Sequence, residues 1–372
     1  MMKKLGFGTM RMPLMNPDDP ASVDTEQVKK MADIFLDRGF TYFDTAYMYH
    51  NYASETSVRA VLTERYPRDA YILADKLPLS HLKKVEDCER IFNEQLEKCG
   101  VDYFDYYLLH CITNSLYETA VNLDCFSFIS QLKQQGRVKK IGFSFHGGAA
   151  LLETILAGHP EVEFVQLQIN YIDWDSPNIQ SRECYEICRK YGKEILVMEP
   201  VKGGTLANVP DEARQLMEAR EPDLSPASWA IRFAASQEGV SMVLSGMSDE
   251  VQVLDNTGYM TEFKPLNHEE QQLIEQVKDI INSSITIPCT TCAYCVETCP
   301  KKIPIPQYFS LYNQFRQFGE RSGSRFYYKT YQDLDHGTAA DCIACRRCEK
   351  ACPQHLEVAD YLRQVSEAFD KT

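Results

Sequence analysis

Tyr103-Phe104-Asp105-Tyr106-Tyr107-Leu108-Leu109-His110, the stretch Leu123 to Gln135 stopped by Gly136, and Val138-Lys139-Lys140-Ile141-Gly142-Phe143-Ser144 decide the fold of this chain. The outer two are short apolar runs rich in aromatic and branched residues, as strands are. The middle one is longer, carries apolar residues at helical spacing and ends on a glycine. The same strand-then-helix unit recurs on both sides. Leu5 to Met10 is a strand, and Val23 to Asp37 a helix stopped by Gly39. Phe40 to Phe43 is a strand closed by Asp44-Thr45-Ala46, and Ser54 to Arg65 is helical. Ala70 to Lys76 is a strand, and Lys83 to Lys98 a helix stopped by Gly100. Further on, Ala149 to Ala157, Ile179 to Tyr191 and Ser225 to Ser236 are helices, alternating with strands at Phe164 to Leu167, Glu194 to Met198 and Ser241 to Leu244. Another helix opens at Val251.

Strands alternating with helices imply a parallel sheet. Eight such units predict an α/β protein built on a (β/α)8 TIM barrel rather than an open sheet, with the active site at the C-terminal ends of the strands. No G-x-G-x-x-G follows a strand, so the dinucleotide fingerprint of the doubly wound fold is missing.

The 372 residues hold one large and one small domain, expected at 1–262 and 263–372. An apolar fraction of 44% supports a buried core, and a net charge of −14 argues against a nucleic-acid partner. No run of about 18 apolar residues predicts a membrane span. Met1-Met2-Lys3-Lys4 leads into glycines rather than an apolar segment, so a cytoplasmic protein is expected.

Beyond Phe263 the composition shifts. Asn267 to Ile281 reads as a linking helix, followed by Cys289-Thr290-Thr291-Cys292-Ala293-Tyr294-Cys295-Val296-Glu297-Thr298-Cys299-Pro300. The second such run is Cys342-Ile343-Ala344-Cys345-Arg346-Arg347-Cys348-Glu349-Lys350-Ala351-Cys352-Pro353. Both read C-x-x-C-x-x-C-x-x-x-C-P, the spacing of bacterial ferredoxins with two 4Fe–4S clusters. Three thiolates in a tight loop face one cluster, and the fourth is aimed at the other. Cys289, Cys292, Cys295 and Cys352 are therefore expected on one cluster, and Cys342, Cys345, Cys348 and Cys299 on the other. Zinc and disulfides are the alternatives, but zinc commonly takes paired C-x-x-C units with a longer gap, and disulfides need an oxidising compartment. Of the 14 cysteines, Cys88, Cys99, Cys111, Cys125, Cys184 and Cys188 lie outside the runs and are expected as reduced thiols. Between the runs, Tyr308, Phe309, Leu311, Tyr312, Phe315 and Phe318 have helical spacing, and Arg325 to Tyr331 adds aromatic and basic residues. The long gap predicts an all-helical ferredoxin-like domain.

Asp44, Tyr49, Lys76 and His110 stand at strand ends or just beyond. Here the chain resembles the aldo-keto reductase family over residues 5 to 260. The resemblance rests on Gly6-Phe7-Gly8-Thr9-Met10, Phe43-Asp44-Thr45-Ala46 with Tyr49, Lys76, and Tyr107-Leu108-Leu109-His110. Ile141-Gly142-Phe143-Ser144, Val165-Gln166, and Val243-Leu244-Ser245-Gly246-Met247 through Asn256 extend it. The cysteine runs, and Tyr49-His50-Asn51-Tyr52 before Ser54-Glu55, are similar to the subgroup with a ferredoxin-like extension.

The resemblance implies a catalytic tetrad. Hydride reduction of a carbonyl leaves an alkoxide that needs a proton. Tyr49 would donate it, Lys76 would lower the phenol pKa from its reference near ~10, Asp44 would hold Lys76, and His110 would orient the substrate oxygen or share the proton relay. Tyr47 and Tyr52 compete with Tyr49 for the donor's place.

For a cofactor, loops after strands seven and eight often hold phosphate. Lys202-Gly203-Gly204 and Ser245-Gly246-Met247-Ser248 lie there, with Ser248 or Asp249 opening a helix, and Gly8 and Thr9 are further candidates. By resemblance, Ser144 and Gln166 would hold a nicotinamide amide and Asn256 the adenine. The chain departs from the family at Phe145, where asparagine is usual, and at Met198, where an aromatic is usual. Gly246 and Gln252 replace a lysine and an arginine. The choice among NAD, NADP and a flavin such as FMN stays open.

The expected activity is reduction of a small carbonyl substrate, with electrons exchanged between a nicotinamide or flavin and two 4Fe–4S clusters. A ferredoxin or other electron carrier is the expected protein partner. Flavin is the usual converter between hydride and single-electron transfer. Two other readings stand beside it: an NAD(P)H carbonyl reductase with structural clusters, and a non-enzymatic redox sensor or electron-carrier subunit.

Overall fold

The computed structural model of the chain describes residues 3–176, 179–283, 285–289, 293–319, 324–325, 328–329, 336–352 and 354–370. Cys292, Pro353 and part of the aromatic stretch Arg325 to Tyr331 lie outside the described residues.

Eight parallel strands close on themselves in sequence order. They are β1 Leu5–Gly8, β2 Tyr42–Asp44, β3 Ile72–Leu77, β4 Phe104–Ile112, β5 Val138–Phe145, β6 Phe164–Gln168, β7 Glu194–Met198 and β8 Val240–Ser245. β8 pairs back onto β1, with Leu5 opposite Val243. The expected (β/α)8 barrel is therefore the observed one. Strand edges moved by one or two residues, as expected where one apolar run serves two roles. Lys76, for example, is not the last residue of β3, which continues to Leu77.

Packing explains the helices. Thr25–Asp37 buries Val28, Met31, Ala32 and Phe35, one stripe at helical spacing, and Asp24 caps its first turn by accepting from Gln27 N at 3.0 Å. Ser54 to Arg65 is helical as expected, but it widens into a π-type turn at Arg59–Thr63. In the barrel part, two helices were not read from the sequence. Asn114–Asn122 buries only Ala120, and Asp211–Arg220 buries only Ala213 and Met217, so neither carries a full apolar stripe.

The barrel interior is a layer of alternate strand residues: Tyr42, Ala74, Tyr106, Leu108, Phe164, Leu196, Met242 and Leu244. Gly6 and Gly142 leave room for it. A Cβ at Gly142 would lie 2.4 Å from the Phe164 carbonyl oxygen, and one at Gly6 would lie 2.7 Å from Leu244 Cδ2. Successive side chains alternate between faces. Asp44, Lys76, His110, Ser144, Gln166 and Met198 each stand two residues beyond an interior residue, so they form the next layer toward the C-terminal mouth.

Compactness divides the chain into 1–203 with 227–271, and 204–226 with 272–372. The segment between β7 and β8 thus groups with the C-terminal part, whereas the sequence places a single boundary at 262/263. Among its described residues the second unit is helical, with Ile305–Phe318 and Val358–Phe369 its longest elements after the linking helix His268–Ser283. Its core gathers Ile287, Ile303, Tyr308, Phe309, Leu362, Val365 and Phe369.

This unit repeats itself at the spacing of the cysteine runs. Ala293 and Arg346, one residue after the second cysteine of each run, are both left-handed and both precede a short helix. Lys302 and His355, three residues after each fourth cysteine, are left-handed too. The long helices then begin at matching positions, Ile305 and Val358.

Candidate active site and cluster cradles

Lys76 Nζ donates to Asp44 Oδ1 at 2.6 Å and to the Thr45 carbonyl at 2.6 Å. Lys76 is 1% and Asp44 3% exposed. Burial, the largest influence, disfavours the ammonium, but the Asp44 carboxylate and the neighbouring Tyr49 and Asp75 together outweigh it, so Lys76 titrates above its ordinary range and stays charged. The same ammonium lies 4.9 Å from the centre of the Tyr49 ring. Tyr49 meets His110 edge to face, with ring centroids 5.9 Å apart. The four expected residues therefore converge at one mouth.

The competing tyrosines point elsewhere. Tyr47 donates to Glu94 at 3.1 Å, and Tyr52 pairs with His81 Nε2 at 3.0 Å. One expectation is corrected. The Tyr49 phenol lies above its ordinary value, because burial raises it more than Lys76 lowers it. Without a bound substrate, the arrangement keeps the proton on Tyr49. Burial, then Lys76 and His146, pushes His110 well below the usual imidazole range, so it is neutral. Its Nδ1 is buried without a hydrogen-bond partner among the described residues.

The loop carrying Tyr49 is held by a hydroxyl relay. Ser54 Oγ lies 2.9 Å from Thr9 Oγ1 and 2.8 Å from Thr45 Oγ1, and His50 Nε2 reaches the Thr9 carbonyl oxygen at 2.9 Å. His50, Asn51 and Tyr52 are all left-handed, at φ 52, 50 and 71. Three consecutive non-glycine residues in that region are strained, and such strain persists only where surrounding contacts over-determine it. Ser54, which the sequence did not single out, ties this loop to Thr9 and Thr45.

The expected cofactor residues divide in two. Ser144 and Gln166 are buried beside the tetrad, at adjacent register positions of β5 and β6. Ser144 Oγ accepts from Cys111 N at 2.7 Å, and Gln166 Oε1 is buried without a partner among the described residues. Buried polar atoms are normally satisfied. The unpaired Gln166 and His110 atoms at this mouth fit a polar ligand such as a carboxamide. Other residues are engaged within the fold. Asn256 donates to Ser245 Oγ at 2.9 Å and accepts from Tyr259 at 2.6 Å. Lys202 is paired with Asp173 at 2.7 Å. Met247 is fully buried, Gly8 packs on the Ser245 carbonyl, and Thr9 serves the relay. Gly203, Gly204 and Gly246 are exposed. Asp249, not Ser248, caps the helix Glu250–Thr261 by accepting from Gln252 N.

In the second unit the cysteines line two hollows. Cys289, Cys295 and Cys352 line one with Phe309 and Leu356. Cys299, Cys342, Cys345 and Cys348 line the other with Ile303 and Leu362. Each hollow thus takes its fourth-position cysteine from the other run. Among the described residues, no three His, Cys, Asp or Glu side chains converge as a single-ion site requires. Thiolates spread around an apolar hollow fit a cluster.

Residues 4–279 match the model of the aldo/keto reductase family, and 288–357 match that of a 4Fe-4S dicluster domain. The chain belongs to the aldo/keto reductase family. An NADPH-dependent alpha-keto amide reductase of Saccharomyces cerevisiae is 29% identical over 49% of this chain and 56% of its own length. An aldo-keto reductase of Mycolicibacterium smegmatis is 33% identical over 32% of this chain and 41% of its own length. The chain therefore spans about half or less of these two relatives. An L-galactose dehydrogenase of Arabidopsis thaliana is 23% identical over 73% of this chain and 88% of its own length. Among solved structures, the holo form of an aldo-keto reductase from Bacillus halodurans superposes with a TM-score of 0.59 at 24% identity, covering 74% of this chain and 91% of that one. An aldo/keto reductase from Klebsiella pneumoniae in complex with NADP and acetate has a TM-score of 0.59 at 18% identity, covering 74% of this chain and 92% of that one. These likenesses establish the shared fold.

Proposed function

We propose that the chain is an iron–sulfur oxidoreductase that reduces a small carbonyl substrate in the cytoplasm, with electrons exchanged between a nicotinamide or flavin cofactor and two 4Fe–4S clusters. A ferredoxin or similar carrier would be its electron partner. The convergence of Lys76, Asp44, Tyr49 and His110 at one barrel mouth supports this most directly. Neutral His110 orients the substrate oxygen. Tyr49 gives that oxygen its proton, and the Lys76 ammonium, held by Asp44, stabilises the phenolate that results. Gln166 and Ser144 are the residues that would hold a nicotinamide carboxamide. Cys289, Cys292, Cys295 and Cys352 would hold one cluster, and Cys299, Cys342, Cys345 and Cys348 the other. When bound, nicotinamide or flavin supplies hydride and the clusters carry single electrons. Among the described residues, no helix is long and apolar enough to cross a membrane.

The test begins with anaerobically purified protein, its absorption spectrum and extraction of its cofactor. Clusters are then reduced with a strong reductant and offered oxidised cofactor or a panel of carbonyls. Reoxidation by either supports electron exchange. Clusters that stay reduced while carbonyls turn over with NAD(P)H would make them structural. Absence of turnover under every condition would favour a sensor or carrier subunit.

A further inference from the structure

The internal repeat of the second unit makes each cysteine run a control for the other. Ala293 and Arg346 hold the same place in the repeat and share a left-handed backbone, at φ 64 and 56. Tyr294 matches Arg347, and Glu297 matches Lys350. Between its first and fourth cysteines the first run therefore carries one carboxylate and no cation, whereas the second carries three cations against Glu349. Holding a cluster does not call for this difference, because both runs offer the same thiolate spacing. In a chain of net charge −14, this basic segment also stands against the general sign.

The basic residues gather at the surface. Lys301, Ile343 and Arg346 line the hollow of Cys299, Cys342, Cys345 and Cys348. Lys301, Arg346, Arg347 and Lys350 are exposed, and so is Ile343, at 60%. Among the described cysteines of the two runs, only Cys345 is exposed. Nearby carboxylates neutralise part of the charge. Arg346 reaches Glu349 at 3.4 Å and Asp360 at 3.3 Å. Asp341 faces Lys301 but is turned into a cap, accepting from Thr338 N at 2.7 Å and from Thr338 Oγ1 at 2.9 Å. Arg347 and Lys350, three apart on the short helix Arg347–Ala351, make no ion pair among the described residues. An exposed apolar residue with cations around it has the make-up of a protein contact, an apolar centre inside a charged rim. Such cations steer an oppositely charged partner and fix its register. Electron transfer between proteins falls steeply with distance, so a carrier must land where a ligand sulfur reaches the surface.

We propose that the surface around Ile343 and Cys345, with Lys301, Arg346, Arg347 and Lys350 at its rim, docks an acidic one-electron carrier protein. The cluster held by Cys299, Cys342, Cys345 and Cys348 is then the one that meets the carrier. This rests on the reading that the clusters exchange electrons with a carrier. Each encounter moves one electron: the reduced carrier is oxidised, the cluster is reduced, and no bond or proton changes hands.

The experiment uses full-length, anaerobically purified protein with its clusters intact, and a small acidic bacterial-type ferredoxin as the probe. Calorimetry reads the dissociation constant at two salt concentrations. Iron content and cluster midpoint potential are measured beside it. The triple variant Arg346→Ala, Arg347→Tyr, Lys350→Glu gives the second run the residues that the first already carries at those places. It should weaken binding by about tenfold or more and flatten the salt dependence, with iron content unchanged. Ile343→Ser should weaken binding by about threefold to tenfold with the salt dependence kept. Tyr294→Ser, on the first run, should bind like the unaltered protein. Equal binding by the triple variant, with the same salt response, would overturn the docking surface. A shifted potential with unchanged binding would do the same and make the cations tuners of the cluster. An equal loss in Tyr294→Ser would overturn the choice of cluster. If sedimentation shows the unaltered protein pairing with itself and the triple variant monomeric, a second copy is the occupant and the proposal fails. If no ferredoxin binds, yet reduced clusters are reoxidised by substrate, docking is refuted while electron exchange stands. Protein that holds no iron refutes the reading beneath it, and the docking surface falls with it.

Discussion

Lys76 and Asp44 form an ion pair of 2.6 Å with side-chain exposures of only 1% and 5%. Two buried charges in such a pair repay their desolvation only through close geometry and additional hydrogen bonds. The Thr45 carbonyl, also 2.6 Å from Lys76, provides one.

Removing one partner strands the other charge in the interior. Asp44→Ala and Lys76→Met should each cost about 3–5 kcal/mol of stability. The double variant should lose clearly less than the sum, because neither charge is then stranded. Urea denaturation of the three variants measures this coupling. A strictly additive double variant would show that the pair carries no such penalty.

Tyr49 alone among three neighbouring tyrosines faces both Lys76 and His110. Tyr49→Phe should lower kcat by about 10²-fold or more, as for loss of a general acid, with nucleotide affinity retained. Tyr47→Phe and Tyr52→Phe should change kcat far less. Steady-state kinetics on the three variants decides, and normal turnover by Tyr49→Phe would remove it from the reaction. Because the Tyr49 phenol lies above its ordinary value, the alkaline limb of activity should not fall before the reference near ~10.

His110 and His146 both titrate below the ordinary imidazole value, chiefly through burial. Between that depressed value and the unfolded value of about 6.5, the unfolded chain binds more protons than the native one. Stability from these groups is therefore present above pH 6.5 or so and is lost as pH falls. Asp44, raised by burial, pulls the other way at lower pH, so the comparison must be between variants. His110→Gln should lose less stability than the unaltered protein between about pH 7.5 and pH 5. Melting curves at the two pH values check this, and identical losses would refute it.

Ser54 joins Thr9 and Thr45 through its hydroxyl in a fully buried site. Ser54→Ala leaves two buried hydroxyls short of a partner, at a cost of about 1–3 kcal/mol. If the relay also positions Tyr49, kcat should fall while the KM for the nucleotide holds. A stability loss with unchanged kcat would make the relay purely structural.

The two hollows predict separate responses to ligand loss. Cys352→Ser should perturb the cluster of the first run and Cys299→Ser that of the second, read as distinct changes in the reduced-state paramagnetic spectrum. Intact protein should carry about eight iron atoms. About four, or stoichiometric zinc, would defeat the assignment.

Much of this was legible along the chain, for reasons of geometry. A parallel barrel alternates short apolar strands with helices, so Tyr103 to His110 and its neighbours announce it. A strand's period of two then carries Asp44, Lys76 and His110 to the same layer once their strands are known. The cysteine spacing similarly pairs the runs, and Cys299 and Cys352 each line the hollow of the opposite run.

Other features depend on distances that no local pattern encodes. Which of Tyr47, Tyr49 and Tyr52 faces the ammonium is set by a loop with three left-handed residues, tied to Thr9 more than forty positions away in the case of Ser54. The direction of the Tyr49 pKa reflects a contest between burial and Lys76, and burial exists only after folding. Lys202 and Asn256 read as ligands in sequence, yet Asp173, Ser245 and Tyr259 engage them in the fold. The sequence by itself determined the periodicities and the thiolate spacing, because these are properties of neighbours along the chain. The tertiary structure decided charge states and engaged partners, because desolvation and through-space contact arise only when distant segments meet.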